Sequence, residues 1–523
     1  MGKLNDFMRI VRRPSLLLCV AKGWRDRHLI ERSEWFDEQW YVRENGGDTS
    51  GLPPALHYSI TGFHPDVQPS PDFVPSEYFE LNPDSKGCNP LAHYEKRGKA
   101  QGRPVSCLQA FRGDSPRHVS LDEHQAAFPE KVRQVREKVR KGGRVRSVFL
   151  VYSASMFPAR PLFSAMSRDP VFEPVLAAIP DTRLRGENVL EGMRKCRESL
   201  VREFGEPSVL DLSPDDEGHW PDILADADIA VYSTPYSLSN FRYNPHWSVG
   251  RGFLPIHVDY SFWMNHFGKW VMQLHNMGYF WKAYLENDSM LDDYRDASRI
   301  GGSNGVVVGY MKMDALPSVP EPPRKRKTVL IAPHHSVPKG MNDRFQVSNF
   351  LRFSDYFLSL PERHPDLDFV FRPHPYLFKA LSLPTLWGKR RVHDYVEHLK
   401  NLPHMELSEE ADNLVDFVRT DAIVQDCGSF LPEYFYTGKP CCYMLADRES
   451  IPKNFNAFGE DCIRHCYQAF EEKDIEAFLD NVVVRGNDPM KPEREAFRKT
   501  VMVNYPHAAE AALHDIKQSI GIG

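Results

Sequence analysis

Thr328-Val329-Leu330-Ile331-Ala332-Pro333-His334-His335-Ser336 is the stretch that decides the fold of this chain. An apolar run leads straight into a proline, two histidines and a serine. A run this short, bounded by breakers, reads as a strand buried on both faces of a parallel sheet. The pattern recurs twice downstream. Phe369-Val370-Phe371 leads into Arg372-Pro373-His374-Pro375, and Ala422-Ile423-Val424 leads, through Gln425, into Asp426-Cys427-Gly428-Ser429. Each polar motif therefore falls just past the carboxyl end of a strand, where open α/β sheets hold their ligands.

The residue types suggest a division of labour. Gly428 permits a tight turn, and a helix is expected to open near Ser429. The free N–H groups and positive dipole of its first turn suit a phosphate or diphosphate. Asp426 and the Ser429 hydroxyl join that set, and Glu433, one turn on, is expected to accept from ribose hydroxyls. The alternative is a plain helix cap. Two prolines fix the backbone around His374. Phosphate oxygens are natural partners for Arg372. His374 titrates near neutrality and suits a general base or a phosphate ligand. The alternative here is a structural Arg–His cap on the sheet. Of the adjacent pair, His335 lies further past its strand and is expected to face the ligand. His334 and Ser336 are assigned to the phosphate-binding set.

The chain has 523 residues, which sets an expectation of two to four domains. A formal charge of −6 argues against a nucleic-acid partner. No apolar run approaches the roughly 18 residues of a membrane span. Leu16 to Ala21 is too short for a secretory leader, so a cytoplasmic protein is expected. The nine cysteines are scattered, as in a reducing compartment. Cys462-Ile463-Arg464-His465-Cys466 lacks a second ligand pair at zinc spacing, so free thiols are expected and no metal ligand is assigned.

Along the chain, residues 1–30 form a basic amphipathic segment. It is expected to lie on an anionic surface, the inner face of the plasma membrane, or else to dock as a terminal helix. Residues 31–112 carry an internal repeat of about 36 residues. Phe36-Asp37-Glu38-Gln39-Trp40-Tyr41 is echoed by Phe73-Val74-Pro75-Ser76-Glu77-Tyr78. Pro54-Ala55-Leu56-His57-Tyr58 is echoed by Pro90-Leu91-Ala92-His93-Tyr94, and Gly62 by Gly98. His57 and His93 are read first as packing residues, with glycan or phosphate contact as the alternative. A linking helix is expected over 113–146. Alternating strands and helices follow over 147–316 and again over 328–472, with helices over 473–523 packing back across both. The fold class is α/β: two Rossmann-type domains with a crevice between them, GT-B-like, behind a small helical repeat region.

These residues carry a resemblance. Gly309-Tyr310-Met311-Lys312-Met313-Asp314, Arg372-Pro373-His374-Pro375, and the block from Thr420-Asp421 through Asp426-Cys427-Gly428-Ser429 and Glu433 to Gly438-Lys439-Pro440 resemble, in this order, the CDP-glycerol glycerophosphotransferase family of teichoic-acid-type polymerases and primases. The likeness covers about 300–450 and, more loosely, 147–300. The repeat resembles a module attached to bacterial polysaccharide-synthesis transferases. The resemblance implies transfer of a phospho-alditol from a CDP-linked donor to a hydroxyl of a glycan or polymer acceptor, with release of CMP. It implies that His374 is one of two essential histidines and that Lys312 belongs to the donor-binding set. Mg²⁺ dependence stays open, because no acidic pair shows Mg²⁺ geometry.

The family's Trp-His-Gly-Thr-Pro motif, source of the second essential histidine, is absent. His257, in Pro255-Ile256-His257-Val258, and His275, in Gln273-Leu274-His275-Asn276, are the substitutes. His257 follows an apolar run and is expected at a strand end facing the crevice. The departure keeps two alternatives in play: a GT-B glycosyltransferase using a CMP- or other nucleotide-activated sugar, and a non-catalytic glycan- or nucleotide-binding protein.

Overall fold

A computed structural model describes residues 24–523 apart from 45–48, 50, 64–66, 71–72, 76–77, 80–81, 86, 104, 106–120, 182–186, 213–220, 237–242, 244, 246–251, 338–346 and 411. Most of the expected basic segment, residues 1–23, lies outside the described residues. No described helix is long and apolar enough to cross a membrane.

Two parallel sheets form the body. The first contains β1 (Val145–Val151), β2 (Phe172–Ala178), β3 (Val209–Leu210), β4 (Ile229–Tyr232), β5 (Leu254–Val258), β6 (Lys282–Leu285) and β7 (Gly305–Val307), in the order β3-β2-β1-β4-β5-β6-β7. The second contains β8 (Lys327–Ala332), β9 (Leu367–Phe371), β10 (Met405–Leu407), β11 (Ala422–Gln425), β12 (Cys441–Met444) and β13 (Tyr467–Ala469), in the order β10-β9-β8-β11-β12-β13. Strand order reverses between β1 and β4 and again between β8 and β11. Such a reversal leaves a gap at the carboxyl ends, because flanking connections diverge to opposite faces.

Both faces of both sheets are covered, which is why their strands read as continuous apolar runs. In β1, Val148 and Leu150 face one core while Phe149 and Val151 face another. In β8, Leu330 faces inward and Val329 and Ile331 outward. The inner core is shared by the two sheets. Phe262 stacks on Phe458 at 5.9 Å and meets Tyr310 at 4.6 Å.

The segment expected to link the repeats to the first sheet forms helix Leu121–Arg140, which packs onto that sheet. Its Arg136 Nε donates to the carbonyl of Ile520, in the chain's last helix, Ala508–Ile520. That last helix buries Ala508, Ala512 and Ile516 against the outer face of the first sheet. Asp314 accepts from the N–H groups of Ala508 and Ala509 and so caps it. Close approach of the C-terminal segment requires Gly309: its φ is +96° and a Cβ there would lie 2.1 Å from the carbonyl oxygen of Val503.

The repeat is a structural repeat. Tyr41 Oη lies 2.7 Å from His57 Nδ1, and Tyr78 Oη lies 2.8 Å from His93 Nδ1. Phe36, Tyr41 and Tyr58 form one aromatic triangle; Phe73, Tyr78 and Tyr94 form its copy. His57 and His93 are buried partners of tyrosine hydroxyls, as the packing reading expects. The module touches the first domain where the Arg299 guanidinium sits over the Trp40 ring at 4.7 Å.

Candidate functional site

Pro333 ends β8, and the chain past β9 stays attached to it. The Arg372 N–H donates to the carbonyl of Ile331 at 2.8 Å, and the His374 N–H donates to that of Pro333 at 3.0 Å. These two bonds carry the β8–β9 pairing beyond the strands and bring three imidazoles together. Ring centroids are 4.2 Å apart for His334 and His335, 4.1 Å for His335 and His374, and 4.9 Å for His334 and His374. His334 is buried; His335 and His374 are half-buried. Three residues from two strand ends thus form one cluster beside the β8–β11 reversal.

The cluster is held from below. Asp426, fully buried past β11, accepts from the His334 N–H and the Asn349 N–H, each at 2.6 Å. Burial pushes its carboxyl up to about 7, against these bonds, which favour the charged form. Ser336 Oγ lies 2.8 Å from His334 Nδ1 and accepts from the Val347 N–H at 3.1 Å. The Ser336 N–H donates to His334 Nδ1 at 3.2 Å, and the Tyr376 N–H donates to His374 Nδ1 at 3.1 Å. One nitrogen from each of the three rings falls within 4.8 Å of the others, which makes them the group among the described residues able to gather on a metal ion.

The sequence reading missed Tyr376. Its ring is 40% exposed and lies 5.7 Å from His374 and 5.9 Å from His335. The signal was an aromatic residue directly after a proline-bounded histidine.

Several expected ligands are committed elsewhere. Arg372 Nη1 donates to buried Asp416 at 2.6 Å and to Ser408 Oγ at 3.2 Å. Through Nη1, Arg372 anchors its turn to helix Asn413–Arg419. Asp426 holds backbone N–H groups and is no phosphate ligand. The helix after Gly428 is only Phe430–Phe435, and Ser429 makes no side-chain capping bond to it. In the orientation that satisfies both its ends, the Gln425 amide donates to the Cys427 carbonyl and accepts from the Leu431 N–H. Phe430 bonds Cys427 through its backbone, and Pro432 has no N–H. The expected phosphate cradle at Gly428 and Ser429 is thus largely closed by internal bonds.

Glu433 and Lys312 satisfy each other. Lys312 Nζ donates to Glu433 Oε2 at 2.9 Å. Asn413 Nδ2 donates to the same oxygen at 2.8 Å, and the Tyr310 hydroxyl to Oε1 at 3.2 Å. Glu433 is buried, and its carboxylate joins the two domains through these contacts. His257 is also corrected. It lies within β5, fully buried and stacked on Phe280 at 5.0 Å, and burial pushes its pKa down to about 3. Neither ring nitrogen has a hydrogen-bond partner among the described residues. It was expected one pleat too late: the apolar run continues through Val258, so the strand ends beyond it. The side chain of His275 lies outside the described residues.

Two acids do stand past strand ends in the first sheet: Asp259 after β5 and Glu286 after β6, both buried. Trp263 Nε1 donates to Asp259 at 2.6 Å. Burial pushes Asp259 up to about 7. Burial and the Asp259 charge push Glu286 well above the carboxylate range. Cys462 and Cys466 form no disulfide, and the His465 ring stacks on Phe497.

No family model matches the sequence, and no curated protein matches it. Solved structures do match. A wall teichoic acid polymerase, TagF, aligns over 77% of this chain and 94% of its own, with 12% identity and a TM-score of 0.50. A UDP-GlcNAc 2-epimerase from Neisseria meningitidis, bound to UDP-GlcNAc, aligns over 72% of this chain and 100% of its own, with 12% identity and a TM-score of 0.43. The fold is accordingly GT-B-like, with two parallel Rossmann-type sheets.

Proposed function

We propose that this chain is a GT-B-type transferase that moves a phospho-alditol from a CDP-linked donor to a hydroxyl of a glycan or polymer acceptor, in bacterial surface-polysaccharide synthesis. The observation that carries the proposal is the convergence of His334, His335 and His374 at the carboxyl ends of β8 and β9. The ordered motifs that resemble the glycerophosphotransferase family support it, as does the fold. In the reaction, the acceptor oxygen bonds to the alditol-bearing phosphorus while the bond from that phosphorus to the CMP oxygen breaks. CMP leaves with the electron pair, and a histidine takes the acceptor proton. His335, half-buried between the other two rings, is assigned as that base. His334 and His374 line the donor phosphates, and the exposed Tyr376 ring offers a stacking face for the base.

Transfer of a sugar from a nucleotide-activated donor is the second reading. It is favoured by Asp259 and Glu286, buried acids where the family's missing histidine motif would be sought. Incubating purified protein with CDP-glycerol, CDP-ribitol and a panel of nucleotide sugars separates the two. Phosphorus NMR then reads the product nucleotide and any new phosphodiester, and parallel runs with a chelator test Mg²⁺. Contact with an anionic membrane through residues 1–30 belongs to the same proposal. Deleting them should move the protein from membrane to soluble fractions.

A further inference from the structure

The chain as a whole is acidic, with a formal charge of −6, yet from Phe369 to His393 it holds no aspartate or glutamate. Arg372, Lys379, Lys389, Arg390 and Arg391 all fall in that stretch. We infer that the turn between helices Leu377–Leu381 and Gly388–Asn401 is a docking surface for an anionic lipid bilayer. Leu383 enters the interface, and Lys379, Lys389, Arg390 and Arg391 meet the headgroups. The contact stands apart from the transferase reading above; what it implies for the acceptor rests on that reading.

Two backbone bonds fold the turn tightly onto the first helix. The Trp387 N–H donates to the carbonyl of Leu381 at 3.0 Å, and the Gly388 N–H to that of Leu383 at 3.2 Å. The Trp387 ring anchors it, packing on Phe350 at 5.4 Å and on Tyr395 at 5.2 Å. Leu383 is left 42% exposed, and exposed Pro384 and Thr385 follow it. Cations flank this uncharged turn on both sides. The Lys379 ammonium lies 5.6 Å over the Tyr376 ring, and the Arg391 guanidinium lies 4.4 Å over that of Trp387. An apolar tip between cations suits the boundary between acyl chains and anionic headgroups.

The charges on this turn lack the pairing seen on other helices. Arg133 meets Glu130 and Glu137, and Arg194 meets Glu191 and Glu198, each about one helical turn away. Among the described residues no carboxylate lies within ion-pair distance of Lys379, Lys389 or Arg391, and the fully extended Arg390 reaches only Asp394, at 4.0 Å. Lys389, Arg390 and Arg391 also open helix Gly388–Asn401, whose first turn carries no acid. The helix dipole favours acids at that end and disfavours cations. The arrangement costs the fold and gains it nothing internally, so the compensating charge comes from a partner. A dissolved polyanion would meet the cations and leave Leu383 in water; a bilayer takes both. Lys379 lies over Tyr376, whose ring is 5.7 Å from that of His374. Docking therefore holds the histidine cluster close to the bilayer, and the acceptor class is a hydroxyl on a lipid-anchored chain.

The test uses the full chain with vesicles of equimolar phosphatidylglycerol and phosphatidylcholine, read by cosedimentation and by hydrogen exchange. Backbone amides between Ser382 and Arg391 should gain protection on these vesicles and not on pure phosphatidylcholine. That readout is local, which separates this contact from one through residues 1–30. Lys389→Gln, Arg390→Gln and Arg391→Gln combined should weaken vesicle binding about a hundredfold, roughly fivefold per cation. Leu383→Ser should weaken it about tenfold. Both variants should unfold at the wild-type temperature, because the side chains are exposed. Vesicle binding without protection between Ser382 and Arg391 would overturn the inference, as would wild-type affinity in the triple variant. Equal protection by soluble polyphosphate would overturn it too, assigning the surface to a dissolved polyanion. If the turn docks on vesicles but no CDP-linked donor is consumed, the transferase reading fails and the docking surface stands. If donors are consumed equally well with soluble and with lipid-anchored acceptors, the transferase reading stands and the acceptor assignment fails.

Discussion

Lys312 Nζ and Glu433 Oε2 meet at 2.9 Å across the junction of the two sheets. Lys312 follows β7 and Glu433 lies on the helix after β11. Glu433 is 1% exposed and also holds Asn413 and Tyr310. One carboxylate thus ties the end of the first domain to the second. Removing one partner of a buried pair leaves the other charge uncompensated. Lys312→Met should therefore destabilise the chain by about 3 kcal/mol in urea unfolding. Glu433→Gln, which keeps acceptor and donor groups, should cost less. An unchanged midpoint for Lys312→Met would mean that the pair does not hold the junction.

His257 gives a prediction with a definite sign. Its folded pKa of about 3 lies below the unfolded 6.5, so between these values the unfolded chain binds more protons. Wild-type stability is then lost as pH falls through that window. At pH 5 the penalty is about 2 kcal/mol. His257→Leu removes it, so the variant should gain on wild type as pH drops from 7 to 5, with turnover kept within a few-fold. Loss of turnover in a folded His257→Leu protein would restore the catalytic reading of this residue.

Asp426→Asn tests the brace beneath the cluster. Both carboxylate oxygens accept backbone N–H groups, and an amide can accept only one while aiming its NH₂ at the other. The expected cost is about 1–3 kcal/mol. Thermal unfolding measures it, and a neutral result would show that the loops carrying His334 and Asn349 do not depend on Asp426.

In the repeats, Tyr41→Phe and Tyr78→Phe each remove one Tyr–His hydrogen bond. Each should cost about 1 kcal/mol in unfolding of the module, with catalytic rate unchanged. A change in glycan binding without a change in stability would favour the recognition alternative for His57 and His93.

The α/β class was legible because β8, β9, β11 and β12 are apolar on both faces and end in proline or polar motifs. β3, β10 and β13 are two or three residues long and too short for any periodicity to register. The three histidines were legible because strand-end position follows from local sequence. The fates of Arg372, Lys312 and Glu433 were not. Their partners are Asp416, 44 residues away, and each other, 121 residues apart. Sequence shows that a charge stands at a strand end; only the folded chain shows whether another charge is already there.

General-base catalysis by the cluster predicts that His335→Ala lowers the rate by about 10²–10⁴-fold with the fold intact. His374→Ala should be similarly crippled through lost phosphate contact. Near-normal turnover in either variant would sink the assigned role.

The most direct measurement is CMP release by the purified full chain from CDP-glycerol and CDP-ribitol, with a glycan acceptor, followed by phosphorus NMR. The account predicts free CMP and a new phosphodiester signal in equal amounts. Consumption of a nucleotide sugar with both CDP-alditols left intact would contradict it.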